Sequence, residues 1–172
     1  SPTLTESQVN GEYAEYLTAY YDGTEGPVVV SGKASVDNRA VSPQPVGLRK
    51  SFTDANGNVT NYLYDANNFL IATVDPYSSV KEYVYDTAGR LESSSDEEGR
   101  TTTFYYDVRD RVVQTEFNDG STERIAYGNN NDDTQNVVVA RQDRNGNVTS
   151  YEYDLQGRVV KTIVASHKIP IS

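Results

Sequence analysis

Cysteine, methionine and tryptophan are all missing from this 172-residue sequence. Without cysteine there are no disulfides and no thiolate metal sites, and the redox compartment stays undetermined. A first residue that is not methionine is expected of a processed chain or an expressed fragment. Basic residues are scarce as well, 15 against 25 acidic ones, for a net charge of −10. Nucleic acid is therefore a poor partner, because phosphate neutralisation needs clustered Lys and Arg. No apolar run is long enough to cross a bilayer, so membrane insertion is not expected. The N-terminus also lacks the basic and apolar regions of a signal peptide, so any export signal has been removed or belongs to a longer parent. The single histidine, His167, lies in a polar tail, and there is neither a Gly-x-Ser-x-Gly elbow nor a cysteine nucleophile. No catalytic or cofactor-binding residue is assigned, and the chain is not expected to be an enzyme.

What is abundant is tyrosine: fourteen, against four phenylalanines. Tyr64, Tyr85 and Tyr106 are each followed by aspartate and stand 21 residues apart. Tyr127 keeps that spacing with glycine in place of aspartate, and Tyr153 follows after 26 residues, a five-residue insertion. A fixed period of this kind is the signature of a repeat architecture. Each unit carries two Asp-x-x-Gly strings, such as Asp86–Gly89 and Asp96–Gly99. Aspartate at the first position and glycine at the fourth predict a type I turn closed by a left-handed residue. Two reversals per unit leave two strands of about six residues.

Further copies are degenerate. The second turn recurs at Asp54–Gly57, Asp75–Ser78 and Asp143–Gly146, and as Asn118, Asp119, Gly120 with altered spacing. The first recurs at Asp154–Gly157, and with Asn68 or Asp110 in the glycine position, where both residue types tolerate the left-handed region. Gly128 to Asp133 has lost it, and the extra residues are expected there as an enlarged loop. Within each unit Tyr62 and Tyr64, Tyr83 and Tyr85, Phe104 and Tyr106, Ile125 and Tyr127, and Tyr151 and Tyr153 are two apart, which puts each pair on one face and predicts two columns of rings. Arg90, Arg111 and Arg158 open the return strand and are expected on the other face.

The predicted fold is all-β, built of tandem antiparallel β-hairpin repeats in a twisted, spiralling sheet. Residues 1–46 form a divergent N-terminal repeat and loop, 47–164 the tandem repeats, and 165–172 a tail. Within the first segment, Ser1 to about Asn10 is expected to be frayed, and Glu12 to Tyr16 to be a helical turn or part of a strand. Thr18 to Gly23 reads as a strand and turn with Val28, Val29 and Val30 as its return, and Ser31 to Pro45 as a long loop or edge segment. Leu48 to Asp54 is expected to be a return strand that has lost its tyrosine.

The string Tyr-x-Tyr-Asp-x-x-Gly-Arg-Leu/Val, best preserved at Tyr83 to Leu91, with its later Asp-x-x-Gly, resembles the YD repeat, or RHS repeat, of bacterial Rhs and insecticidal Tc toxin proteins and of teneurins. The resemblance covers Gly47 to about Val164, and Tyr20 to Val30 faintly. Its structural positions here are Tyr64, Asp65, Tyr85, Asp86, Gly89, Arg90, Tyr106, Asp107, Tyr127, Tyr153, Asp154, Gly157 and Arg158. It implies a spiralling antiparallel sheet that walls off a hollow shell, often around a toxic C-terminal domain. The chain departs from the family in having too few repeats to close a shell. It also has no counterpart of the self-cleaving core region or of a toxin domain, so neither activity is carried over.

The resulting expectation is a structural or encapsulating scaffold segment of a larger exported bacterial protein, secreted or at the cell surface. Its partners would be the remainder of the parent chain or a cargo domain. The alternative is a carbohydrate-binding module, with Tyr105, on the face opposite the tyrosine pairs, as ligand platform. No metal site is assigned: the oxygens of Asp54–Asn58 and Asp143–Asn147 lack the distal bidentate acid of a calcium loop. Gly128–Asp133 is a better cation candidate, though a solvated loop is expected. Strand Arg158–Val164 is apolar and poorly protected, so end-to-end self-association is expected.

Overall fold

A computed structural model describes residues 3–9, 12–26, 30, 33–128 and 136–165. The fold is almost entirely β, antiparallel and built of hairpins. It divides into two compact units, Ser1–Gly99 and Arg100–Ser172. In the first, seven strands follow one another across the sheet in chain order: β1 (Thr3–Val9), β2 (Glu12–Tyr20), β3 (Arg49–Thr53), β4 (Val59–Tyr64), β5 (Leu70–Val74), β6 (Val80–Tyr85) and β7 (Leu91–Ser95). In the second, six do the same: β8 (Thr101–Tyr106), β9 (Val112–Glu116), β10 (Thr122–Tyr127), β11 (Val138–Gln142), β12 (Val148–Tyr153) and β13 (Val159–Ala165). Among the described residues neither sheet closes on itself.

The two turn types form where the aspartates and glycines predict them. At Asp86–Gly89 the Gly89 amide donates to the Asp86 carbonyl at 3.0 Å, and the Asp86 amide donates to the Arg90 carbonyl at 2.9 Å. Gly89 has φ +81°, and Asn68 and Asp110 take the same left-handed role at +68° and +61°. Each strand that ends in a repeat tyrosine meets its return strand through a bulge beside that tyrosine. Val84 faces Ser93 while Tyr85 faces Leu91, so Glu92 is the extra residue. The same bulge accompanies Tyr64, Tyr106, Tyr127 and Tyr153.

Several expectations for the N-terminal part are corrected. Residues 3–9 are not frayed but form β1 in a hairpin with β2, and Glu12 to Tyr20 is strand throughout. The return strand of Tyr20 is β3, and of the return expected at Val28–Val30 residues 28 and 29 lie outside the described residues. Tyr20 faces Arg49 through the usual bulge, so the tyrosine thought lost before Leu48 is Tyr20 itself. The Tyr21 amide donates to the Leu48 carbonyl at 2.9 Å and the Gly47 amide to the Tyr21 carbonyl at 2.8 Å, the two hydrogen bonds of the standard turn. Residues 22–46 are thus an insertion within that turn. The five-residue insertion after Tyr127 falls in the equivalent turn, where the Gly128 amide donates to the Val137 carbonyl at 3.1 Å. A loop tip tolerates added length because closure entropy grows slowly with loop size.

The long insertion, in its described residues, is docked on the sheet and is not an edge strand. It includes the short helix α1 (Ala34–Asp37) and folds over the sheet face that carries Leu63, Ala72 and Val80. Val30 and Val36 pack there, with Val36, Leu63, Ile71 and Ala72 all at most 2% exposed. Lys33 (3.4 Å), Ser35 (2.8 Å) and Arg39 (3.3 Å) converge on the Glu82 carboxylate, and Arg39 also donates to the Tyr83 carbonyl at 2.7 Å. Gln44, 2% exposed, accepts from the Tyr64 amide at 2.8 Å and donates to the Val41 and Tyr64 carbonyls at 2.6 and 3.1 Å. Its side chain thereby takes the place of a neighbouring strand.

In the second unit, the turn expected at Asn118 keeps the regular spacing after all. It begins at Phe117, whose carbonyl accepts from the Gly120 amide at 2.8 Å. Phenylalanine stands in the aspartate position, and Asp119 instead holds the Ser121 amide at 3.0 Å.

Candidate functional site

Four repeat tyrosines each fasten their own hairpin to the preceding one within the same unit. Tyr64 donates its hydroxyl to the Arg49 carbonyl at 3.1 Å, Tyr85 to Leu70 at 3.1 Å, Tyr127 to Val112 at 3.3 Å and Tyr153 to Val138 at 2.6 Å, each fifteen residues back. Every acceptor is the residue that faces the preceding repeat tyrosine across its bulge. These four hydroxyls are thus bound within the array. Tyr21 adds a bond of its own, to the Tyr62 carbonyl at 2.8 Å, and burial pushes its phenol up to about 12.

The rings are not two uninterrupted columns. The residue that follows the turn fills the space before the next repeat tyrosine: Phe69 stacks on Tyr85 at 4.6 Å, and the Arg111 guanidinium lies 4.0 Å from the Tyr127 ring centroid. Arg111 therefore serves the tyrosine side of the sheet, contrary to the expectation that it would point away. In these turns the aspartate locks the arginine. Asp107 accepts from the Arg109 and Arg111 amides at 2.8 and 3.1 Å and from Arg111 Nε at 2.8 Å, and the Arg111 guanidinium and amides hold its carboxyl down to about 2. Arg90 Nε donates to Asp86 at 2.8 Å and Arg158 Nε to Asp154 at 2.7 Å, and both carboxyls lie below their ordinary range, first through the arginine's own amide. The Asp54 and Asp143 carboxylates are similarly occupied by Asn58 and Asn147. Among the described residues no cluster of three metal-ligating side chains occurs. His167 and Asn129–Asp133 lie outside the described residues.

Tyr105 stands on the face opposite the tyrosine pairs and is 44% exposed, its hydroxyl donating to Glu116 at 2.9 Å. Directly across the strands it heads a row of Gln114, Arg124 and Gln142. Arg124 Nε donates to Gln114 at 2.9 Å. The equivalent face of the first unit is apolar and covered by the insertion, whereas this one is polar. On the other face, a shallow groove of about 320 Å³ opens where Ile125 replaces an aromatic residue, lined also by Arg141, Thr149 and Tyr151. The described residues contain no helix long and apolar enough to cross a membrane.

Comparison with known proteins agrees with this geometry. Residues 85–122 and 132–168 match the family model of the RHS Repeat, so those two stretches of the chain are RHS repeats. Its fold is that of segments of Tc toxin chains. Against the crystal structure of TcdB2-TccC3-Cdc42 the TM-score is 0.55 at 15% identity, covering 87% of this chain and 8% of that one. Against TcdB2-TccC3 without its hypervariable C-terminal region it is 0.56 at 14% identity, covering 90% and 9%. The chain thus spans less than a tenth of those chains. No curated protein matches it in sequence.

The sequence reading found the tyrosines, aspartates and turn glycines but missed three groups: the carbonyl acceptors fifteen residues back, Glu82 and Gln44. The constant 15-residue spacing was present in the sequence, but a backbone acceptor leaves no residue-type signal. Glu82 and Gln44 owe their roles to an insertion whose docking no local pattern encodes.

Proposed function

We propose that the chain is a wall-forming scaffold segment of a larger exported bacterial RHS-repeat protein of the Tc toxin type, and that it carries out no catalysis itself. The observation that carries this reading is that the repeat's reactive-looking groups are committed to holding the array together. Tyrosine hydroxyls bind carbonyls, aspartates bind their own turns, and Arg111 is pinned beside the Tyr127 ring. A surface built this way offers extent and rigidity, which suits enclosure of a cargo domain by the parent chain. The test is limited proteolysis of the parent with its C-terminal domain attached. That domain should be shielded in the native parent and become accessible when Tyr85 and Tyr153 are both changed to alanine. Equal accessibility in the two forms would end the enclosing role.

A carbohydrate-binding role is the second reading, favoured by the exposed Tyr105 ring at the head of the Gln114, Arg124, Gln142 row. A ring face for stacking beside amide and guanidinium donors suits a sugar. Saturable glycan binding that is lost in Tyr105→Ala would support it, and absence of binding in the millimolar range would remove it.

A further inference from the structure

The seat of Gln44 has a counterpart one hairpin further on, within the same unit, that no side chain of the described residues fills. At Tyr64 the Asp65 amide donates to the Phe69 carbonyl at 3.0 Å, and the amide and carbonyl of Tyr64 itself point the other way, to Gln44. Tyr85 stands in the same register, with the Asp86 amide donating to the Arg90 carbonyl at 2.9 Å, so its amide and carbonyl also turn away from the return strand. Among the described residues no hydrogen bond reaches either group. A pocket of about 250 Å³ opens there, walled by Arg39, Asp65, Ile71, Val84 and Tyr85. Asp65 also lacks a contact that other turn aspartates have. Its Oδ1 takes the Asn67 and Phe69 amides at 2.9 Å each, but its Oδ2 has no hydrogen-bond partner among the described residues. The Oδ2 atoms of Asp86, Asp107 and Asp154 hold an arginine four residues on, and those of Asp54 and Asp143 an asparagine. Four residues after Asp65 stands Phe69, which stacks on Tyr85 instead.

We propose that this pocket binds a primary carboxamide, presented as a glutamine side chain by a loop of a partner polypeptide. The carboxamide oxygen would accept from the Tyr85 amide, and its NH2 group would donate to the Tyr85 carbonyl and to Asp65 Oδ2. Gln44 sets the precedent, accepting from the Tyr64 amide and donating to the Tyr64 and Val41 carbonyls. The methylene stem would lie on Ile71 and Val84. Charged side chains fit less well. Arginine or lysine has no acceptor for the Tyr85 amide and would meet the Arg39 guanidinium, while glutamate has no donor for the Tyr85 carbonyl and would meet the Asp65 carboxylate. A neutral group with one acceptor and two donors matches all three protein groups. Gln44 reaches its own seat from an irregular segment rather than a strand, so a loop suits the pocket. The site is independent of whether the parent chain encloses a cargo.

The test is NMR titration of the full isotope-labelled chain with N-acetylglutamine methylamide and with its glutamate and methionine counterparts. Binding at about 10 mM is expected for the glutamine derivative, with saturable amide shifts at Tyr85 and residues 65–68. The glutamate derivative should bind at least about five-fold more weakly, and the methionine derivative, whose side chain offers no donor, should give no saturable shift. Asp65→Asn keeps an oxygen for the Asn67 and Phe69 amides but puts a donor in place of Oδ2. It should weaken the glutamine derivative by about five-fold. Absence of saturable shifts, shifts elsewhere, equal affinity of the glutamine and glutamate derivatives, or unchanged affinity in Asp65→Asn would overturn the proposal. So would tighter binding of free glutamine than of the blocked residue, since the pocket would then serve a small molecule.

Discussion

The Tyr85 hydroxyl donates to the Leu70 carbonyl at 3.1 Å, joining a residue that ends one hairpin's first strand to the residue that begins the preceding hairpin's return. Leu70 in turn faces Tyr64 across that hairpin's bulge, so each tyrosine builds the seat for the next. The bulge matters because it takes the carbonyl out of the regular ladder and leaves it available to a side-chain donor. The array is thus coupled hairpin to hairpin by a polar contact as well as by strand pairing.

Gly89 and Gly57 have nearly equal φ values, +81° and +83°, but different surroundings. A Cβ at Gly89 would lie 3.0 Å from Phe69 Cζ, while one at Gly57 would meet nothing within 4 Å. Gly57→Ala should cost about 1 kcal/mol for the left-handed conformation alone. Gly89→Ala should cost roughly 0.5–1 kcal/mol more because the Phe69 ring must move, and Gly89→Val should cost more again. Urea denaturation of the variants checks this, and equal costs for the two alanine variants would mean that the Phe69 contact is immaterial.

Gln44 satisfies the amide and carbonyl of Tyr64 from inside the core. Gln44→Ala leaves the Tyr64 amide without its acceptor and opens a cavity, while the Tyr64 carbonyl keeps the Val41 amide at 3.1 Å. It should destabilise by roughly 2–4 kcal/mol. Protease cleavage should then begin within residues 22–46. If the insertion stays protected and stability is unchanged, the insertion is not held as described.

Acid should weaken the array through its turns. The Asp107 carboxyl is depressed from 3.8 to about 2 by Arg111 and nearby amides. A group whose folded pKa is lowered contributes stability that is complete above its unfolded value and lost as pH falls through the folded one. Melting temperature should therefore drop between about pH 4 and pH 2, and Asp107→Asn should flatten that decline. An unchanged acid limb in the variant would show that Asp107 does not titrate this way.

The hairpin period was legible because turn chemistry is local: aspartate caps and left-handed residues stand at fixed offsets and override much else in a short loop. The position of Gly47 even preserved the register of a turn interrupted by residues 22–46. What the sequence could not convey was the partner of β3. Tyr20 and Arg49 are 29 residues apart, so no short-range pattern links them. The role of Arg111 was misjudged for a related reason. Strand alternation predicts its face, but the bulge and the Asp107 lock redirect the side chain toward Tyr127. Phe117 was overlooked as a turn residue because the aspartate had moved two places along while the backbone kept its geometry.

The central claim is that the repeat tyrosines act as equivalent fasteners, and the most direct measurement is the unfolding free energy of a tyrosine-to-phenylalanine series. Tyr64→Phe, Tyr85→Phe, Tyr127→Phe and Tyr153→Phe each remove one hydroxyl bound to a carbonyl fifteen residues back. Each should cost about 1 kcal/mol, with or without a neighbouring insertion. Tyr105→Phe, which removes an exposed hydroxyl bound to Glu116, should stay within about 0.5 kcal/mol of the parent. Four similar losses beside a silent Tyr105 variant would establish the fastening, and four silent variants, or a Tyr105 loss as large as the rest, would contradict it.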